Sequence, residues 1–274
     1  MTYKTLMAHL ELGRSNEGLL KIAGDLAERF DAGVIGIAMC QPMQIVYSEG
    51  YIPGDIIGQD REQRDREIAT AEAEFRYALP ARALGWRAAV TQDPLADYLA
   101  RESRGADLVI TGVDHNASLF DNSRHVPIGD VVMQVGRPIL VVPTAASGLS
   151  FDRVLVGWKD TRETRRAIVD ALPFLMTAAH ATIVEIAEQK DLDLASERLA
   201  DVVSWLSRHG VAAEAIARPS EGQDAHHLHA LALEHRAGLI VAGAYGHSRV
   251  REWVLGGVTR DLLLRAGRCA LVSH

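Results

Sequence analysis

Ala237 to Gly243 reads AGLIVAG, and at an offset of 237 − 106 = 131 it repeats Ala106 to Gly112, ADLVITG. The same offset carries Gly136 to Val142 (GRPILVV) onto Gly267 to Ser273 (GRCALVS). Nearer the amino terminus, Leu6-Met7-Ala8 falls on Leu155-Val156-Gly157, and Ile35-Gly36-Ile37-Ala38 falls on Val184-Glu185-Ile186-Ala187, both at an offset of 149. Repetition at this length marks two copies of one unit. The first copy is the longer, by the difference of the two offsets, 149 − 131 = 18. The surplus is expected around Gln41 to Gln59, QPMQIVYSEGYIPGDIIGQ, where two prolines and three glycines break the pattern and predict a long, partly mobile loop.

Within each copy, short apolar runs alternate with longer amphipathic stretches. Strands are expected at Thr5 to Ala8, Val34 to Met39, Leu108 to Thr111 and Ile139 to Val142, and in the second copy at Val154 to Gly157, Thr182 to Ile186, Leu239 to Ala242 and Ala270 to Val272. None alternates cleanly, as befits parallel strands covered on both faces. Glu17 to Phe30 and Arg162 to Met176 carry apolar residues at helical spacing. The expected class is therefore α/β, two tandem doubly wound domains over residues 1–145 and 151–274, joined by the small-residue connector Ala145-Ala146-Ser147-Gly148. The terminal runs Pro138 to Val142 and Arg268 to Val272 are apolar edges, and pairing them with each other removes two aggregation-prone surfaces. That makes the two halves an intramolecular pseudo-dimer and leaves a further homodimer open.

Composition narrows the function. Basic residues number 29 against 36 acidic, a net charge of −7 that offers no surplus to a nucleic-acid backbone or an anionic membrane. No apolar run approaches a membrane span, and no secretory leader is evident, so a cytoplasmic location is expected. Cys40 and Cys269 read as packing residues in a reducing compartment.

Ligands of open parallel sheets bind beyond the carboxyl ends of strands, so the loops after the first and fourth strands of each copy matter most. In the second copy, Leu239 to Gly267 runs LIVAGAYGHSRVREWVLGGVTRDLLLRAG: Gly243, two residues, Gly246, nine residues, Gly256 and Gly257, then a helix. Bare glycines admit close approach of backbone to ligand, and the amides of Gly256, Gly257 and Val258 at a helix start would face an anion. Thr259 adds a hydroxyl, and His247, Ser248 and Arg249 stand ready to bond a phosphate chain.

This spacing resembles the nucleotide-binding motif of the universal stress protein family, and the resemblance covers both halves. It implies a five-stranded, adenine nucleotide alpha hydrolase-like domain in each half, dimerisation through the last strand, and ATP, with or without magnesium, held at Gly243, Gly246, Gly256 and Gly257 with Val258 and Thr259 following. Two departures stand out. Gly257 takes the place usually held by Ser or Thr, and in the first-strand loop (Gly157, Trp158, Lys159, Asp160) Lys159 falls where ATP-binding relatives carry an Asp that meets the nucleoside. Lys159 would instead meet a phosphate or a carboxylate. Trp158 either stacks on a base or packs against a helix, the commoner role for an aromatic near a strand end.

In the first copy Gly112 matches Gly243, but His115, His125 and Val126 replace Gly246, Gly256 and Gly257, and Glu11 lies near the nucleoside-contacting position. That half is expected to be a structural partner or to take a different ligand. Among other chemistries, His226, His227, His229 and His235 lack the ligands that close a zinc shell and read as a solvated helix surface. There is no Gly-x-Ser-x-Gly elbow and no Gly-Lys-Ser/Thr phosphate loop. The function that the resemblance implies is that of a nucleotide-binding stress-response sensor or regulator. The alternative is an ATP-using enzyme of a related α/β fold, a slow ATPase or a nucleotidyl transferase.

Overall fold

The computed structural model describes residues 2–42, 54–113, 123–222, 224–244 and 267–274. The first half comprises β1 (Thr5–His9), α1 (Glu17–Phe30), β2 (Gly33–Cys40), α2 (Gly54–Ala78), β3 (Ala83–Val90), α3 (Leu95–Glu102), β4 (Leu108–Val113), α4 (Ile128–Gln134) and β5 (Ile139–Pro143). The second comprises β6 (Arg153–Trp158), α5 (Arg162–Asp170), α6 (Leu172–Leu175), β7 (His180–Ala187), α7 (Leu192–Arg208), β8 (Ala213–Pro219), α8 (Asp224–Glu234), β9 (Leu239–Gly243) and β10 (Cys269–Ser273).

The strands form one ten-stranded sheet in the order β3-β2-β1-β4-β5-β10-β9-β6-β7-β8. Pairing is parallel within each half, and β5 meets β10 antiparallel. Neither β5 nor β10 is an open edge. At the joint Leu140 lies opposite Leu271, and these occupy the same position of the two copies (271 − 140 = 131), so a local twofold axis passes between them.

Register corrects the repeat arithmetic. Leu6 pairs with Leu108 and Val154 with Leu239, so Leu6 corresponds to Val154 and the first strands are offset by 148, not 149. On the second strands Val34 corresponds to Ala181, an offset of 147. Short apolar runs match almost as well when slid by one residue, whereas a one-residue slip in a sheet turns every side chain to the other face. The corrected equivalences set His9 against Gly157 and Glu11 against Lys159. The connection from β2 to β3 runs over 41–82, whereas that from β7 to β8 covers only 188–212, which places the surplus chain where proline and glycine indicated. Residues 54–59, expected as loop, belong instead to α2, whose interior is laced by Asp60–Arg64 (3.0 Å), Gln63–Glu67 (2.9 Å) and Glu72–Arg76 (2.7 Å) pairs at i,i+4 spacing. Residues 43–53 of that loop lie outside the described residues.

Helix α1 spans the expected residues because Leu19, Ile22, Ala23, Leu26 and Phe30 recur on one buried face. The expected single helix from Arg162 to Met176 is two, α5 and α6, interrupted at Ala171 with Pro173 in the first turn of the second. Both cysteines are buried and unbridged.

One core runs continuously under α1, α2, α5, α6 and α7 across both halves, while the opposite face carries two cores, one of the first half that also takes in Ala244 and Val272 and one wholly of the second half. At the joint, Phe174 of α6 packs against Tyr3 (5.7 Å between ring centroids), Phe30 (5.3 Å) and Phe151 (5.1 Å). The connector is seated by two glycines. A Cβ on Gly18 would come 2.1 Å from the Ala146 carbonyl oxygen, and one on Gly238 would come 2.0 Å from that of Ser150.

Asp170 ends α5 at this joint, and the Tyr3 hydroxyl donates to its main-chain carbonyl. Burial pushes the Asp170 carboxyl above its usual range, against the pull of the Ser273 hydroxyl and of Arg166 and Arg137. A carboxyl raised in the folded state contributes stability at low pH that is lost as pH rises through its folded value. Asp170→Asn is therefore expected to raise Tm at pH 7 and to leave it unchanged at pH 3, measured by thermal denaturation at the two pH values.

Candidate functional site

The chain leaves β6 toward β7 on one side and has β9 on the other: Gly157 pairs with Val184 and with Ala242. The connections diverge here, so the crevice beyond the carboxyl ends of β6 and β9 is the topological switch point of the second half. Its floor is made by close packing. A Cβ on Gly243 would lie 2.5 Å from the Thr164 amide nitrogen and 2.7 Å from the Glu163 carbonyl carbon, so the first turn of α5 rests directly on the end of β9. A Cβ on Gly157 would meet only the Leu228 side chain, its nearest methyl at 2.9 Å.

Trp158 is 8% exposed and belongs to the continuous core, with its indole nitrogen unbonded among the described residues. Lys159 and Asp160 follow it into solvent. Asp160 accepts from Arg165 at 2.6 and 3.1 Å, and Thr161 caps α5, its hydroxyl accepting from the Thr164 amide at 3.4 Å. Among the described residues Lys159 is in no ion pair. Glu163, the first-turn acid of α5, is buried; burial opposes its ionisation, yet the Arg162 guanidinium, its own amide and the Thr161 hydroxyl hold it below the usual carboxylate range. Gly157, Trp158, Lys159, Asp160 and Gly243 are thus gathered at one end of two adjacent strands. Gly246, His247, Ser248, Arg249, Gly256, Gly257, Val258 and Thr259 lie outside the described residues.

Glu185 is a neighbour that sequence reading passed over. It pairs with Trp158 across the β6–β7 ladder, is buried, and is bonded by Arg198 from α7. An acid inside the apolar run Thr182 to Ile186 was its only signal.

The equivalent crevice of the first half is filled differently. His9 stands for Gly157, Glu11 for Lys159 and Thr111 for Ala242. His9 is 2% exposed and its Nδ1 lies 2.9 Å from the Thr111 hydroxyl. A Cβ on Gly112, the counterpart of Gly243, would sit 3.3 Å from a Glu11 carboxylate oxygen. At this position the charge is therefore reversed between the halves, acidic in the first and basic in the second. Two clefts of about 500 and 420 Å³ flank this loop, sharing Glu11, Arg14, Ser15 and Asn16, one reaching the connector and the other α2.

On α8, His226 is exposed and His227 lies 3.2 Å from Glu221, while His235 beyond the helix lies 3.4 Å from Glu214. Among the described residues no three His, Cys, Asp or Glu side chains are arranged to hold a metal, and no helix is long and apolar enough to cross a membrane.

No protein-family model matches the sequence and no curated protein matches it. Solved structures do. A universal stress protein from Archaeoglobus fulgidus DSM 4304 superposes with a TM-score of 0.72 at 16% identity, over 98% of this chain and 95% of that one. The chain has the universal stress protein fold. Because the match spans nearly all of both molecules, the stress-protein fold here includes both halves. A functionally unknown protein from Pseudomonas aeruginosa PAO1 shares the fold at a TM-score of 0.61 and 13% identity, over 99% of this chain and 92% of that one.

Proposed function

We propose that the chain binds an adenine nucleotide, ATP foremost, in the crevice of its second half and works as a sensor or regulator in stress response. The first half acts as its structural counterpart in an intramolecular pseudo-dimer. The observation that carries this reading is the position of Lys159: an exposed cation at a switch point, one strand away from the strand that runs into Gly246, Gly256 and Gly257. A cation and bare main-chain amides at the end of a parallel sheet are complementary to a phosphate chain.

In this assignment the amides of Gly256, Gly257 and Val258 and the Thr259 hydroxyl hold phosphates. His247, Ser248 and Arg249 bond the same chain, and Lys159 neutralises charge from the opposite wall. Gly243 and Gly157 act by letting α5 and α8 pack close, Trp158 by supporting the floor, and Asp160 by holding Arg165. Magnesium accompanies ATP where the phosphates need it, supplied with the nucleotide. Replacement of a family acid by Lys159 favours contacts to phosphate over contacts to the base, so affinity should fall steeply from ATP to AMP.

Calorimetric titration of wild type and Gly246→Val with ATP, ADP and AMP, with and without magnesium, tests this. The expected result is saturable ATP binding that weakens at least tenfold in Gly246→Val, because a branched side chain bars the backbone from the phosphates. Equal binding by the two proteins removes the glycine-rich run from the site.

A further inference from the structure

The ten-stranded sheet ends in two edges, β3 and β8, and their chemistry differs. In a parallel ladder the main-chain groups of alternate residues point toward the neighbouring strand, and those of the residues between point away. On β8 the Ala212 carbonyl accepts from the Ala181 amide (2.8 Å) and the Ser220 amide donates to the Ala187 carbonyl (2.7 Å). Ala213, Ala215, Ala217 and Pro219 therefore turn their main chain outward. Pro219 has no N–H to offer there, and Glu214 and Arg218 set charge along the strand. Proline and charge are the devices that keep an edge from pairing.

β3 carries neither device in its outer half. The Thr91 amide donates to the Cys40 carbonyl (2.9 Å), so Trp86, Ala88 and Val90 turn their N–H and C=O groups outward, and among the described residues no strand pairs with that side. The one irregularity in register falls at Leu84, ahead of this stretch. Gly85 to Val90 has no proline, and its single charged side chain, Arg87, is bound to α3, donating to the Glu102 carboxylate (2.8 Å) and carbonyl (2.7 Å). Ala88 and Val90 are exposed, while Trp86 is half-buried with its ring against Phe75 of α2 (5.6 Å between centroids). Free donors and acceptors on a strand without free charge are a template for another strand.

We propose that two copies of the chain pair through β3, antiparallel about a twofold axis at Ala88, so that the sheet of one molecule continues into the other. This register sets the outward groups of Trp86, Ala88 and Val90 in one copy against those of Val90, Ala88 and Trp86 in the second, and each donor meets an acceptor. The side chains agree with it. Trp86 falls opposite Val90, an aromatic beside a β-branched residue, the small Ala88 lies on the axis where a larger side chain would meet itself, and Arg87 falls opposite Ala89. Sliding the pair until Arg87 opposes Arg87 would put like charges directly across and leave Val90 unpaired. The joint of β5 with β10 is the same device within one chain, antiparallel about a local axis, and it uses up the last strand of each half. Because the surface is self-complementary and β8 is blocked, assembly closes at two copies. The pairing is independent of nucleotide binding.

Sedimentation equilibrium of the whole chain, in wild type, Ala88→Pro and Ala88→Lys, provides the test. Proline at 88 spares the β2–β3 ladder, since the amide it removes points outward, and lysine there sets two like charges on the axis. The expected result is a wild-type dimer of twice the 29.8 kDa chain mass. Its dissociation constant should rise at least tenfold in both variants, whereas Ala217→Pro, the same exchange on β8, should dimerise as wild type does. A monomeric wild type, Ala88 variants that dimerise unchanged, or an equal loss in Ala217→Pro overturns the proposal. Should the two Ala88 variants not fold, Ala88→Cys decides. Cα atoms of a hydrogen-bonded antiparallel pair lie about 5.5 Å apart, within reach of a disulfide, and Cys40 and Cys269 are buried and do not compete. Mild oxidation that links two chains through residue 88 supports the pairing, and oxidation that leaves single chains overturns it.

Discussion

Phe174→Ala is expected to destabilise the chain by about 4 kcal/mol, read as a lowered midpoint in urea denaturation. Phe174 is fully buried and meets rings from the approach to β1 (Tyr3), the end of α1 (Phe30) and the end of the connector (Phe151). Truncation removes its own burial and leaves a hole lined by three aromatic side chains that the surrounding helices hold apart, so collapse is restricted. The same cluster is a main apolar contact between halves. The variant should therefore also lose cooperativity, with the single transition of the wild type separating into two. A loss under about 1 kcal/mol with one sharp transition would mean that the β5–β10 ladder alone couples the halves.

Gly243→Ala is expected to cost about 3 kcal/mol in the ligand-free protein. The added carbon would meet main-chain atoms of Glu163 and Thr164 inside 3 Å, and neither β9 nor α5 can move without disturbing the sheet or the core beneath it. Gly105→Ala supplies the control, since nothing lies within 4 Å of a Cβ there and its backbone is not left-handed. Matching midpoints for the two variants would contradict the close packing of α5 on β9. The outcome also separates the glycines of the second half by role: Gly243 serves the fold, whereas Gly246 is assigned to ligand approach and should tolerate substitution in the absence of nucleotide.

Much of the architecture was legible because repetition is a strong signal. Two offsets between apolar runs located the four inner strands of each half and the longer β2–β3 connection, and periodicity alone delimited α1. The outer strands β3 and β8 were not delimited, since they are half-exposed along their length and lack the continuous apolar run that marks the others. The offset at the first strands was wrong by one residue for a physical reason: Leu, Val, Ile and Ala are nearly interchangeable in a buried parallel strand, so only the ladder itself fixes which residues correspond. That single residue matters to function, because it sets Glu11, rather than its neighbour, against Lys159. The start of α2 was hidden by Pro53, Gly54 and Gly58, which read as loop, while the ion pairs that favour a helix lie later in it. Gly18 and Gly238 gave no signal at all. Each faces a connector carbonyl remote in sequence from it, and such contacts leave no local pattern. Glu185 and Arg198 were missed likewise, since the acid sits in an apolar strand and its partner lies on the helix that follows.

On this account the two crevices, equivalent in fold, differ in what they hold: the second accepts a phosphate chain and the first does not. A crystal structure of the chain grown with ATP and magnesium tests it most directly. The account predicts nucleotide density with its phosphates against the main chain of residues 246–259 and the Lys159 ammonium nearby, and no nucleotide beside Glu11 and His9. Nucleotide seated in the first-half crevice, or a glycine-rich run whose amides are bonded to protein atoms with Lys159 remote from the ligand, would contradict it.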